Sequence, residues 1–495
     1  MFKLRQKKYF SIKYLILLIV LFFAVGYFFT ISDSVNLSFL SNEQKQFIKK
    51  YAFPYQAISE QKQVINEQSK IINELSEIKN AQSEIKNAQS EIINAQSEIQ
   101  YLKNRLSNLS LRAELETKES GRDIEINQTI FNLSNDLILT KFQLLSGFYS
   151  GINIEYPGSG YIDFHKDNII IMSSRGLLAF KENPIDDKEN FKQISTNIND
   201  FIGFNQFDKN KWFSIKDILI FNNQIFVSFT EEIRNDCWNT SVVSADMDYK
   251  KIKFTQLFSS EDCVHSINNI DGQFNGHQSG GRIIQFDNNH ILLSIGDYRS
   301  RHLAQNKKSV NGKIIKLNIS NRSYKIISMG HRNPQGLYFD KNKNIILETE
   351  HGPEGGDEIN IIEVSKFNLD EVQNYGWAIS SMGEHYGGRV EKNVQIYEKY
   401  PLHNSHSDFG FIEPVKSFVP SIGISEIVKI GQDKYVVSSL KDRALYFFEL
   451  DKQSFLINLN RVEVSERIRD MNFKNNKIYL FMEETASIGI INLNS

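Results

Sequence analysis

The sequence predicts an all-β head, organised as a propeller, behind a helical stalk and an apolar N-terminal segment. Three observations lead there. Downstream of about residue 145, short β-type runs recur behind Asn, Asp, Gly or Lys turns; a seven-residue repeat precedes them; and the first thirty-odd residues contain one uncharged apolar run.

The β-type runs open six times in a similar way: DNIII at 167, NNQIFVS at 222, NNHILLS at 288, NKNIILE at 342, QDKYVVS at 432 and NNKIYLF at 475. A polar turn followed by a β-branched run is a strand signal. The spacing is mostly about 45 to 65 residues, close to a four-stranded blade with loop insertions. Six blades over residues 145–495 follow, and the widest gap places an insertion at Asn374 to Pro420, where loops carry function. A β-sandwich pair or a helix–strand mixture is the alternative. No convincing amphipathic helix follows residue 145, so all-β is favoured.

The stalk is read from its period. Val64, Ile71, Ile78, Ile85, Ile92, Ile99 and Leu106 form one apolar row, and Ala81, Ala88, Ala95, Leu102 and Leu109 a second. That is a heptad seam, and residues 56–112 contain no Gly or Pro. Isoleucine at the first core position suits a parallel dimer, whereas alanine at the second specifies oligomer state poorly and leaves a trimer open. A helix of this length spans roughly 70 to 80 Å.

Residues 14–31 are free of charge and long enough to cross a bilayer as a helix, which takes about 17 to 25 residues. Lys3, Arg5, Lys7, Lys8 and Lys13 precede the run, and the first acid after it is Asp33. This asymmetry puts residues 1–13 in the cytoplasm as a basic tail and exports the rest. A cleaved signal peptide ending near Ala24-Val25-Gly26 is the rival, but the apolar run continues through Tyr27, Phe28 and Phe29. Net charge is -2 and no basic stripe interleaved with aromatics occurs, which argues against nucleic acid as a partner. Cys237 and Cys263, the two cysteines, are a candidate disulfide in an oxidising compartment or two unpaired thiols.

The densest chemistry lies in GHRNPQGLYFD from 330 and EHGPEGGDEIN from 350. His277 in GHQSGGRI precedes a strand that ends in Asp297; a histidine serves as a base near neutral pH, and a carboxylate fixes its tautomer. Alone, His277 as a strand cap and Asp297 as a turn residue would be the plainer reading.

These segments, with SSLKDRALY at 438–446 and ERIRD at 466–470, resemble the glucose/sorbosone dehydrogenase family, soluble quinoprotein sugar dehydrogenases that bind pyrroloquinoline quinone (PQQ) on a six-bladed β-propeller. The resemblance implies His277 as the base that deprotonates the anomeric hydroxyl and Asp297 as its support. It implies Arg332 and Asn333 as the pair at the quinone carbonyl edge, with Lys441, Arg467 and Arg469 contacting the cofactor and Tyr386 lining its pocket. Three clustered cations suit the three carboxylates of PQQ. It also implies calcium: Glu358 with the Tyr375 carbonyl at one site, and the Gly352 and Pro353 carbonyls beneath the quinone. Asp357 is as readily a turn residue.

The resemblance covers roughly residues 200 to 490. It departs at KWFSIKDI (211–218), which lacks the family's cofactor-contacting glutamine, and at PSIGIS (420–425), where the family has an APS turn. The function implied is oxidation of the C1 hydroxyl of an aldose to a lactone by a protein anchored in the bacterial inner membrane and facing the periplasm, with a respiratory-chain acceptor reoxidising the quinone. Homo-oligomerisation through the coiled coil is expected. A stalked, non-catalytic propeller that binds a glycan or a partner protein is the alternative.

Overall fold

The structure is a computed structural model. It describes residues 14–17, 41–43, 55–116 and, apart from stretches at 117–119, 135, 145–147, 149–157, 183–188, 203–214 and 370, residues 120–493. Tyr14–Leu17 are helical, and most of the apolar run at 14–31 lies outside the described residues. Among the described residues no helix is long and apolar enough to cross a membrane.

The heptad region is one continuous helix, Tyr55–Glu116. Its first-row isoleucines Ile71, Ile78, Ile85, Ile92 and Ile99 are each more than half exposed in the single chain.

The head consists of six antiparallel sheets. Their innermost strands are Gly160–His165, Ile215–Phe221, Gly280–Gln285, Pro334–Asp340, Ile424–Lys429 and Ile468–Lys474, and each touches the next, the last returning to the first. That closed ring defines a six-bladed β-propeller. Each of the six strand openings read from sequence falls on the second strand of a blade: Asn168–Ser173, Gln224–Arg234, His290–Ile295, Ile345–Glu350, Lys434–Ser439 and Lys477–Met482. At two of these openings the reason is local, because Asn-Asn tolerates the left-handed backbone that a tight hairpin needs. Asn222 and Asn223 adopt φ of 49° and 60°, and Asn475 and Asn476 adopt 50° and 59°.

The propeller begins earlier than residue 145. Ile126–Asn132 and Ile138–Leu144 join the sixth blade, with Ile138–Leu144 paired antiparallel to Ser487–Asn492. A strand from the start of the propeller thus completes the blade made by its last strands, which closes the ring. The blades pack through apolar faces; Phe142, Ile171, Phe191, Tyr479 and Phe481 fill the contact between the sixth and first.

Charge sits at the centre of the ring. Arg282 of the third blade contacts Asp217, Asp470 and Glu426 of three other blades at 2.7, 2.7 and 2.5 Å, all almost fully buried. Asp217 also accepts the Ile283 amide at 2.8 Å, and Asp470 the Ile162 amide at 2.8 Å, so each carboxylate stitches its inner strand to a neighbour. Cys237 and Cys263 form a disulfide with Cα atoms 5.4 Å apart, tying a strand of the second blade to the loop that leaves it.

Candidate active site

At one end of the axis the inner strands open onto a cavity of about 230 Å³. Its walls come from blades distant in sequence: Tyr161 and Lys216, then Asn275, His277 and Gln278, then Arg332, Asn333 and Gln335, His351, Tyr386, Leu440, and finally Arg467, Arg469 and Glu483. Six of the residues singled out from sequence, His277, Arg332, Asn333, Tyr386, Arg467 and Arg469, therefore line one space.

Local strand irregularity builds this wall. Five of the six inner strands slip register near their start, a β-bulge that adds a residue without a ladder partner and re-aims its side chain. Lys216, Gln335 and Arg469 are such residues, and all three face the cavity.

Arg332 is held at both ends. Its backbone amide donates to Glu350 Oε2 at 2.6 Å, and its guanidinium donates to the His351 carbonyl at 2.9 Å and to the Tyr386 hydroxyl at 3.1 Å. The Trp377 ring stands 5.5 Å from the guanidinium carbon. Asn333 Oδ1 accepts the Gly280 amide at 3.1 Å, joining the third and fourth blades. Arg467 and Arg469 share one buried acid: their Nε atoms lie 2.7 and 2.8 Å from Glu483. Burial opposes ionisation of Glu483, but the two guanidiniums outweigh it and hold its carboxyl down to about 2.

Burial, followed by the charges of Lys216 and Arg469, pushes the His277 imidazole down to about 3. The ring is neutral at physiological pH, the state a base requires. Asp297 is fully buried, but its oxygens are occupied by the Arg299 amide at 2.8 Å and by Trp377 Nε1 at 2.7 Å, and its own amide donates to the Arg332 carbonyl at 2.9 Å. Its contacts thus run to the Arg332 loop and Trp377. Burial raises its carboxyl above the usual range, against the pull of Arg332.

Lys441 is exposed and lines a separate surface cleft with Lys416, Asp442 and Arg461, while its neighbour Leu440 reaches the cavity. Two of the expected calcium donors, Glu358 and the Tyr375 carbonyl, face a histidine. His406 stands between Glu358 and the Tyr375 carbonyl, with Nε2 3.3 Å from Glu358 Oε1 and Nδ1 3.0 Å from the Tyr375 oxygen. The two oxygens meet opposite edges of an imidazole rather than one ion. Beside the Gly352 and Pro353 carbonyls, Asp357 is committed to the amides of Gly352, Gly423 and Ile424 at 3.1, 2.7 and 3.0 Å. Asp357 is a turn clamp.

Sequence reading missed Lys216, Gln335 and Glu483 as wall residues, and singled out His351 only as part of the second turn. Glu483 had a signal, since two alternating arginines aimed into a cavity demand a buried counter-charge. Lys216 lies in the segment whose only noted feature was the missing glutamine.

The fold and the site define a six-bladed β-propeller with a cation-rich axial cavity that also holds a histidine. The chain belongs to the glucose/sorbosone dehydrogenase family, whose model matches residues 219–491. It is 28% identical to the aldose sugar dehydrogenase YliI of Escherichia coli over 188 residues, 34% of this chain and 46% of that one. It is 33% identical to quinoprotein glucose dehydrogenase B of Acinetobacter calcoaceticus over 131 residues, 20% of this chain and 26% of that one. The chain spans about half or less of the length of these curated relatives. Among solved structures, apo aldose sugar dehydrogenase of Escherichia coli superposes with a TM-score of 0.52 at 18% identity, covering 68% of this chain and 96% of that one. A glucose dehydrogenase superposes at 0.53 and 19% identity, covering 72% and 99%. Identities this low speak for the fold.

Proposed function

We propose that the protein is a PQQ-dependent sugar dehydrogenase that oxidises the C1 hydroxyl of an aldose to a lactone. The observation that carries this reading is the cavity itself, which puts His277, Arg332, Arg467 and Arg469 around one space. Its donor set suits PQQ, a flat tricarboxylate with a quinone edge, because Lys216, Arg332, Arg467 and Arg469 oppose the single carboxylate of Glu483. Held there by Lys216, Arg332, Arg467 and Arg469, PQQ would supply a two-electron hydride acceptor.

This chain's residues do the rest. Neutral His277 takes the hydroxyl proton as the C1–O double bond forms. Arg332, fixed by the His351 carbonyl and the Tyr386 hydroxyl, presents a preorganised cation where oxygen charge develops. No step is assigned to calcium.

His277→Ala tests the base. Dye-linked aldose oxidation by the PQQ-loaded protein falls by about 10²- to 10⁴-fold, the usual contribution of a general base, while PQQ still binds. Unchanged turnover contradicts the assignment.

The remaining features are proposals that rest on sequence. Residues 14–31 anchor the chain in a bacterial inner membrane with the propeller in the periplasm, where a respiratory-chain acceptor would take up the electrons. The helix Tyr55–Glu116 associates with copies of itself, which covers an isoleucine row that is otherwise exposed.

A further inference from the structure

Lys216 is the wall residue with an unmet charge. It is the extra residue of a bulge, between the pairs Ile215↔Phe229 and Asp217↔Ser228. The equivalent positions of the fourth and sixth blades deliver Gln335 and Arg469 to the same cavity. Room for the lysine stem is made by Gly281, at φ +112°, where a Cβ would come within 2.2 Å of the Lys216 Cβ. Arg467 and Arg469 have Glu483, whereas the Lys216 ammonium reaches the Gly276 carbonyl at 3.4 Å, and the charge acting on it is Arg469, of like sign. A buried cation without a counter-ion is costly unless a ligand supplies one.

With Lys216 protonated, counting Lys216, Arg332, Arg467 and Arg469 against Glu483 gives the wall three positive charges in excess. PQQ carries three carboxylates. We infer that Lys216 is a cofactor-contacting residue that pairs with one carboxylate of PQQ, standing in the segment where the family resemblance looks for a glutamine. The inference rests on the PQQ reading above and adds a contact from the second blade to those of the fourth and sixth.

Its signature is a proton. Burial, and then Arg469, bring the Lys216 ammonium of the free protein down to about 7. The titratable and charged groups that share its cavity are His277, His351, Tyr161, Tyr386, Arg332, Arg467, Arg469 and Glu483. Glu483 stays ionised and His277 neutral above pH 5, since their values fall at about 2 and about 3, so neither titrates with it. Pairing with a carboxylate raises the lysine. Affinity for PQQ is therefore full below about pH 7 and declines as pH rises through the free value, by up to about tenfold per unit.

The experiment is a PQQ titration of the full-length protein in detergent, followed by tryptophan fluorescence, from pH 6 to 8.5, for the wild type, Lys216→Met and Lys216→Arg. At pH 6, Lys216→Met weakens binding by roughly 10- to 100-fold, the loss expected for one charge-assisted bond, and shows a flat pH profile. Lys216→Arg, which keeps the cation, restores affinity and also loses the pH dependence. Thermal melts confirm that the variants fold. Wild-type affinity in Lys216→Met, or a wild-type profile already flat, overturns the role of Lys216 while leaving the PQQ reading intact. A wild type that binds no PQQ overturns both.

Discussion

Trp377 Nε1 donates a hydrogen bond to Asp297 Oδ2 across 2.7 Å, joining the loop that follows the second strand of the third blade to the long insertion of the fourth. The Asp297 amide in turn donates to the Arg332 carbonyl at 2.9 Å. The aspartate thus holds the arginine loop in place. Trp377→Phe keeps the ring but leaves a buried carboxylate short of one donor, at a cost of about 1.5–3 kcal/mol in denaturant unfolding. A loss below about 0.5 kcal/mol would show that the bond is dispensable.

Arg282 binds three buried carboxylates at the propeller axis. Arg282→Met leaves Asp217, Glu426 and Asp470 facing one another without a cation. Removing one partner of a buried ionic cluster costs about 3–5 kcal/mol, so the variant unfolds at markedly lower denaturant. Burial already raises Asp217 and Glu426, the latter to about 8 even with Arg282 present. The deficit of the variant is therefore smaller at pH 5 than at pH 8, because protonation relieves the repulsion. A pH-independent deficit contradicts this.

Glu483 gives the opposite sign. Its folded value, about 2, lies below the ordinary 4.5 because Arg469 and Arg467 outweigh burial. A depressed carboxyl stabilises the fold above its unfolded value and loses that contribution as pH falls toward the folded one. The stability gap between the wild type and Glu483→Gln is thus full above about pH 5 and narrows between about 4.5 and 2. Melting curves of both proteins across this range test it, and a gap that widens on acidification refutes it.

The helix Tyr55–Glu116 leaves Ile78 and Ile85 exposed by 55% and 58% in the single chain. Such a row is stable in water when another helix covers it. Replacing both by Asn converts an oligomer to a monomer in light scattering, without changing the circular dichroism of the β-sheet head. A wild type that is already monomeric removes the coiled-coil reading.

Much of the fold was legible because its signals are local. Each Asn- or Asp-rich turn with its β-branched run marked the second strand of one blade. The closing strands at 126–144 were not legible, because their partner is Ser487–Asn492, more than three hundred residues away. The site divides in the same way. His277, Arg332, Asn333, Arg467 and Arg469 sit in recognisable turns, whereas Lys216 and Gln335 reach the cavity through bulges set by register against the adjacent strand. Nothing in their own flanking residues fixes that register. His406 was invisible as the partner of Glu358 for the same reason, since the insertion that carries it folds back from forty-eight positions downstream.

The central claim, a quinone site beside a base, is tested most directly by titrating the purified full-length protein with PQQ and recording absorbance as aldoses are added. Saturable binding and a spectral shift to reduced quinone with at least one aldose are expected, with the shift lost in His277→Ala although binding persists. A folded protein that binds no PQQ, or binds it and is reduced by no aldose, would contradict it.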